Sequence, residues 1–523
     1  MSHGRVDSAA LRALIRQGGE FALIDVREER PFGAGHILTA CHAPLSRLEL
    51  RIAALVPRLS TRLVVTDGGE GLAERAAGVL ATLGYGEVAV HDGGAPAWAA
   101  AGYELFWGTN VPSKAFGEIL ELACHTPALD AGEVRRRVVE GQSIAILDSR
   151  PWDEYLAFHI PGGIDCPGAE LAYRVRDLVP DPATTIVVNC AGRTRSILGT
   201  QSLVNAGVPN PVFALRNGTI GWEWAGQKLA HGQGPRCGPV SEDACVWSRG
   251  QMDKLAQRAG VTTIDPATLK RWRADPDVTL YVFDVRTAEE FATGTLEGAI
   301  SIPGGQLVQE TDAWIGVRDA RIVLVDDTGV RARMSASWLA QMGHGGVAVL
   351  DVDVRDHAVP PPGRRPHGAP AIAPQAAHEG GHAMLDLSSW HGFHREHPAG
   401  AVWGLRARLG DAVALMPADR PVAVLDDEDG HLAALALADL ARLGRNGACV
   451  LEGGLVAWKA EGLPTDAGGQ DMPNARQDAC HLPWELEDDP GAAMRAYIDW
   501  ELQLPEQFAR DGLLTFAPLV SEA

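Results

Sequence analysis

Cysteine is scarce in this sequence: eight of 523 residues, Cys41, Cys124, Cys166, Cys190, Cys237, Cys245, Cys449 and Cys480, with no Cys-x-x-Cys pair. So few in so long a chain exclude a disulfide framework and a zinc-knuckle site, and fit a reducing cytoplasm. Basic residues are also short, 46 Lys and Arg against 67 Asp and Glu, a formal charge of −21. That balance argues against a general nucleic-acid binder and against docking on an anionic membrane. An anionic substrate has to find a local basic pocket against the overall field. No stretch approaches the roughly 18 uninterrupted apolar residues of a membrane span, and the N-terminus Met-Ser-His-Gly-Arg-Val-Asp has no apolar signal core. Nothing reads as a nucleotide phosphate loop, and no cofactor is expected.

What is present is globular composition, 46% hydrophobic and 22% charged, in a chain long enough for three or four cores. Aligning the chain on itself shows one pattern four times. An apolar run ends in Asp at Asp25, Asp148, Asp284 and Asp386; Arg follows two residues later as Arg27, Arg150 and Arg286, with Ser388 in the fourth copy. Eleven residues past each Asp stand His36, His159, Thr295 and His397. A second apolar strand then ends at Asp67, Cys190, Asp327 and Asp427, offsets of 42, 42, 43 and 41 from the first Asp. A helical stretch follows, such as Leu72 to Leu83 or Ile197 to Ala206, then a strand, a Gly-rich turn and a Trp (Trp98, Trp222, Trp458), an ending that the third copy lacks. Strands alternating with helices imply α/β modules with a mainly parallel sheet. Chemistry in such a sheet sits at the carboxyl ends of its strands, where Cys190 stands.

Asp-x-Arg, the His eleven residues beyond that Asp, a strand ending in Cys and a final Gly-Gly-x-x-x-Trp together resemble the rhodanese family. The resemblance implies four tandem rhodanese-like modules at 5–106, 128–230, 262–356 and 376–466, with an unmatched extension at 470–523 carrying a helix around 490–503. Residues 359–376, rich in Pro, Ala and Arg, read as a solvated linker. In that family the Cys takes sulfur from a donor, becomes a persulfide and passes the sulfur to a nucleophilic acceptor. Only the second module keeps the Cys. A carboxylate cannot form a persulfide, so modules with Asp67, Asp327 and Asp427 are expected to be silent. The expected function is transfer of sulfane sulfur from a small anionic donor, thiosulfate or a relative, to a thiol or protein acceptor.

The loop Cys190-Ala191-Gly192-Arg193-Thr194-Arg195-Ser196 carries the expected chemistry. Its amide N–H groups form an anion nest, the following helix adds positive partial charge, and both arginines add full charges. Each of these depresses a thiol pKa. The arginine forks match a sulfonate, and Thr194 and Ser196 are expected to support loop or donor. Asp148 and Arg150 are expected to brace the loop, while His159 and Trp222, repeated in silent modules, read as scaffold.

Three rival readings fit parts of the sequence. A phosphatase needs Cys, five residues, then Arg; position 196 is Ser and the nearest Arg is Arg195, so the loop is one residue short. A non-catalytic scaffold or sulfur-carrier docking protein is favoured by the three silent modules and opposed by the intact loop of the second. His378, His382, His391, His394 and His397 crowd one stretch, but the repeat pattern assigns them module positions and no metal site is expected.

Overall fold

The computed structural model describes residues 3–357, 359–360, 368–469, 471–480 and 489–520. Residues 361–367 of the expected linker, and 470, 481–488 and 521–523 of the extension, therefore lie outside the described residues. The chain divides into two compact units. One comprises Met1–Ala13, Ala22–Thr109 and Gly363–His481; the other comprises Leu14–Phe21, Asn110–Pro362 and Leu482–Ala523. The first and fourth modules thus share one unit. The second and third share the other, together with the C-terminal helix.

Each module is built on a five-stranded sheet whose strands, counted within the sheet, lie in the order 1-5-4-2-3. All pairings inside these four sheets are parallel. Parallel sheets are covered on both faces, so their strands read as continuous apolar runs rather than alternating ones. Ile186, Val187 and Val188 of the fourth strand of module two, Thr185–Asn189, are fully buried in this way. One face of that sheet packs with Leu171, Val175 and Leu203, and the other with Val134, Ile160 and Trp222.

The repeated sequence signals have structural reasons. Asp148 accepts hydrogen bonds from Arg150 Nε and Nη2 at 2.9 and 2.8 Å, and Arg150 Nη2 also donates to the Phe158 carbonyl. The completely buried arginine thereby ties the end of the second strand to the chain that leaves it. Asp25–Arg27 and Asp284–Arg286 repeat this bond set. His36, His159 and His397 each stack on the aromatic ring four residues earlier, at 4.0, 4.0 and 3.8 Å between centroids. Thr295, which takes the place of a histidine, donates to Asp284 Oδ2 instead at 2.7 Å. Trp98, Trp222 and Trp458 are buried, each donating its indole N–H to a carbonyl six residues on.

Within the second unit, the helix Gly168–Leu178 of module two meets Gly304–Gln309 of module three. A Cβ on Gly305 would stand 3.3 Å from the Ala169 nitrogen, so glycine sets the closeness of this seam. Within the first unit, Arg406 of module four bridges Glu49 of module one and Asp439. The helix expected at 490–503 runs longer, over Pro490–Asp511, with Asp489 accepting from the Ala492 N–H and Gly512 closing it.

Candidate active site

The position after each fourth strand is defined by sheet register. Asp25 pairs with Thr66, Asp148 with Asn189, Asp284 with Val325 and Asp386 with Leu425. The next residues are Asp67, Cys190, Asp326 and Asp426. The sequence alignment placed Asp327 and Asp427 there, one residue late, because each third- and fourth-module loop begins with two consecutive aspartates. Asp327 instead pairs with Arg331 at 2.7 Å, and Asp427 with Arg47 at 2.8 Å.

The three aspartates share one arrangement. Asp67 accepts from the N–H groups of Gly69 and Ala73 at 2.8 and 3.0 Å. Asp326 accepts from Gly329 and Arg331, and Asp426 from Glu428, Gly430 and Ala433. In each of these three modules the loop is an anion cradle, and its own carboxylate fills it. Only in module two does the cradle lack an internal carboxylate.

Cys190 follows Asn189 directly and is 2% exposed. The helix after the loop begins at Thr194, three residues sooner than the sequence suggests. Thr194, Arg195 and Ser196 therefore lie in its first turn, and the loop proper is Cys190 to Arg193. The Gly-rich turn of the repeat closes beneath it. Gly218 has φ +56°, and a Cβ there would stand 2.3 Å from the Cys190 carbonyl oxygen. With only hydrogen in that place, Thr219 N–H reaches the same oxygen at 2.9 Å. Gly94 stands equally close, 2.3 Å by the same measure, to the Asp67 carbonyl.

The arginines differ from expectation. Arg193 makes a bidentate pair with Glu118, at 2.7 and 2.8 Å, and also meets Glu121 and Asn217. Arg195 is held bidentately by Glu154 at 2.6 and 2.8 Å. Neither fork is open to a sulfonate. All three carboxylate partners come from outside the motif: Glu118 and Glu121 from the helix Val111–Cys124 between modules, Glu154 from the helix Trp152–Ala157.

The thiol also departs from the expectation of a depressed pKa. Burial pushes the Cys190 pKa up and outweighs the charge of Arg195 and the hydroxyl and N–H of Ser196, which favour thiolate. Side chains of the C-terminal helix stand beside the loop. A Cβ on Gly192 would stand 3.3 Å from both Glu501 Oε2 and Tyr497 Cε1. Met494 and Ile498 pack with Ile220, just past Gly218. The site is thus loop, inter-module helix and C-terminal helix together. Ala191 and Gly192 are buried backbone contributors to the loop, and Ser196 Oγ donates to the Arg193 carbonyl at 2.7 Å.

Sequence reasoning missed Lys114, Glu118, Glu121, Glu154, Tyr497 and Glu501. The available signal was an acidic pair on one face of the helix between modules, and Tyr, Trp and Glu at helical spacing in a segment matching no repeat. The crowded histidines do not converge. His378 meets Trp458 edge-on and His397 stacks on Phe393, and among the described residues no His, Cys, Asp or Glu group has metal-holding geometry.

Comparison with known proteins accords with this architecture. A thiosulfate sulfurtransferase from Pseudomonas aeruginosa is 47% identical, with 99% of this chain and 100% of that one covered and a TM-score of 0.92. The curated HTH-type transcriptional regulator Rv0324 of Mycobacterium tuberculosis is 33% identical over 105 residues, 20% of this chain. This chain spans only 45% of the length of that regulator. The rhodanese-like domain model matches residues 7–101, 130–225, 265–356 and 370–461. The chain belongs to the rhodanese family, as a tandem of four rhodanese-like domains.

Proposed function

We propose that this protein is a sulfurtransferase that carries sulfane sulfur as a persulfide on Cys190, with thiosulfate or a related anion as donor and a thiophilic acceptor. The observation that carries this reading is the contrast among the four cradles. Three are filled by Asp67, Asp326 or Asp426, and the remaining one presents a thiol in place of a carboxylate. The name of the Pseudomonas aeruginosa relative supports the donor.

In the forward step the Cys190 thiolate attacks the outer sulfur of thiosulfate. The sulfur–sulfur bond of the donor breaks, and its electron pair leaves with sulfite. The new terminal sulfur sits in the cradle of loop N–H groups, which favours the persulfide anion. A nucleophilic acceptor then attacks that outer sulfur and the electron pair returns to Cys190. Arg195 and Ser196 stabilise the thiolate at both ends of the cycle, while Arg193, clamped by Glu118 and Glu121, holds the loop in shape.

Incubation with thiosulfate is expected to add one sulfur atom to Cys190, visible in the intact mass and removed by cyanide. Cys190→Ser abolishes both the mass gain and turnover, whereas Asp67→Asn, Asp326→Asn and Asp426→Asn leave them in place. A wild-type protein that never gains the mass would instead support the scaffold reading.

A further inference from the structure

The C-terminal helix brings one carboxyl group, that of Glu501, to the Cys190 loop. Glu501 is 1% exposed. Its Oε1 accepts from the Tyr497 hydroxyl at 3.0 Å, while Oε2 is buried with no hydrogen-bond partner. Oε2 is the atom that stands 3.3 Å from the place a Cβ on Gly192 would occupy, so it faces the loop across a gap that glycine keeps open. The cations around it are engaged. Arg193 is held by Glu118 and Glu121, Arg195 by Glu154, and Lys114 lies over the Tyr497 and Trp500 rings at 5.3 and 5.0 Å.

Resting on the reading of Cys190 as the sulfur-accepting nucleophile, we propose that Glu501 selects the donor by charge. Its protonated carboxyl hydrogen-bonds an oxyanion in front of Cys190, and its carboxylate repels the same anion. Four carboxylates then surround three cations, and a dianion entering this buried space meets net repulsion. A protonated Glu501 removes that repulsion and adds a donor beside the loop N–H groups, where the Arg193 and Arg195 forks are already engaged.

The titration range follows from the groups that face Glu501. Burial pushes its pKa up, Lys114 opposes this, Glu118 adds to it, and the Tyr497 hydroxyl and Arg193 oppose it, leaving it at about 7. Cys190 responds in the same direction, since an ionised Glu501 raises the thiol pKa. The repulsion disfavours an anionic donor above neutrality, while the Cys190 thiolate fraction still grows with pH, only more slowly once Glu501 is ionised.

Alkylation of Cys190 tests this without sulfur transfer. Full-length wild type and Glu501→Gln are treated with iodoacetate, an anion, and iodoacetamide, which is neutral, from about pH 6 to about pH 8. The product at Cys190 is quantified by peptide mass spectrometry. Taking the ratio of the two rates cancels the ionisation of the thiol. In wild type the ratio of anionic to neutral rate is expected to fall about tenfold across the range, and in Glu501→Gln to stay level. Tyr497→Phe removes a hydrogen bond to the carboxylate and is expected to move the wild-type midpoint upward, a second readout should Glu501→Gln fold poorly. A level ratio in wild type, or a fall of equal size in Glu501→Gln, overturns the proposal. Sulfur loading from thiosulfate in the same samples reports separately on the sulfurtransferase reading: loading with a level ratio sinks only the charge selection. A falling ratio without loading sinks only the transfer.

Discussion

At the scale of single residues, the most instructive position is where one copy of the repeat breaks its own rule. Asp25, Asp148 and Asp284 each hold a buried arginine two residues on, but module four has Ser388 there, which supplies Asp386 with a backbone N–H at 2.8 Å. Without a guanidinium, burial pushes Asp386 from 3.8 up to about 6. The folded state then binds the proton more tightly than the unfolded chain, so stability falls as pH rises between those two values and is level above them. Replacing Asp386 by Asn removes the titrating group. Amide exchange in the strand Ala383–Asp386 should show the variant more stable than wild type above pH 6, by about 1–3 kcal/mol. Below the unfolded value the two should be alike. Equal protection at all pH values would mean that Asp386 is paired in solution by a group other than Ser388.

At the scale of elements, the helix Pro490–Asp511 decides how Cys190 is reached. Its hold on module two is apolar: Met494 and Ile498 against Ile220. Ile498→Asp places a charge at a site 4% exposed, and is expected to loosen the helix by about 2–5 kcal/mol. Iodoacetamide should then label Cys190 at least about tenfold faster, because local opening exposes the loop more often. Leu502, on the same helix but half exposed, is the control, and Leu502→Asp should leave the labelling rate unchanged. This element was also the hardest to read in advance. Its Tyr, Trp and Glu residues are legible as a helix, but nothing in a segment outside the repeats shows which module it lies on. The strand-ending Asp, the stacked His and the terminal Trp were legible because four copies carry the same local bonds. Arg193 and Arg195 misled for the converse reason: a nearby pair of arginines is visible in one line of sequence, while Glu118 and Glu154, which fill their forks, lie 75 and 41 residues away.

At the scale of the whole molecule, charge and duplication act together. A net charge of −21 repels anions at long range, and no open arginine fork at Cys190 offsets this locally. Screening should therefore help: kcat/KM for thiosulfate is expected to rise about two- to fivefold between low salt and roughly 0.15 M, where the Debye length shortens to about 8 Å. A fall with salt would show that a free cationic site governs encounter. Sheet register also acts at this scale. Spacing along the chain located four equivalent loops to within a residue, but only the pairing of Asp284 with Val325 and of Asp386 with Leu425 assigns Asp326 and Asp426 to the cradle.

The filled cradles have one more consequence. Asp67, Asp326 and Asp426 are tethered ligands, present at fixed stoichiometry and never released, so three of the four loops are locked by the chain itself. The fourth has no tethered carboxylate; the Arg193–Glu118 pair and the Thr219 N–H brace it, and its cradle is left for a ligand that comes and goes. Binding to a native site stabilises only the state that holds it, and so the donor, though small, should act as a conformational clamp on one half of the molecule and be a bystander to the other.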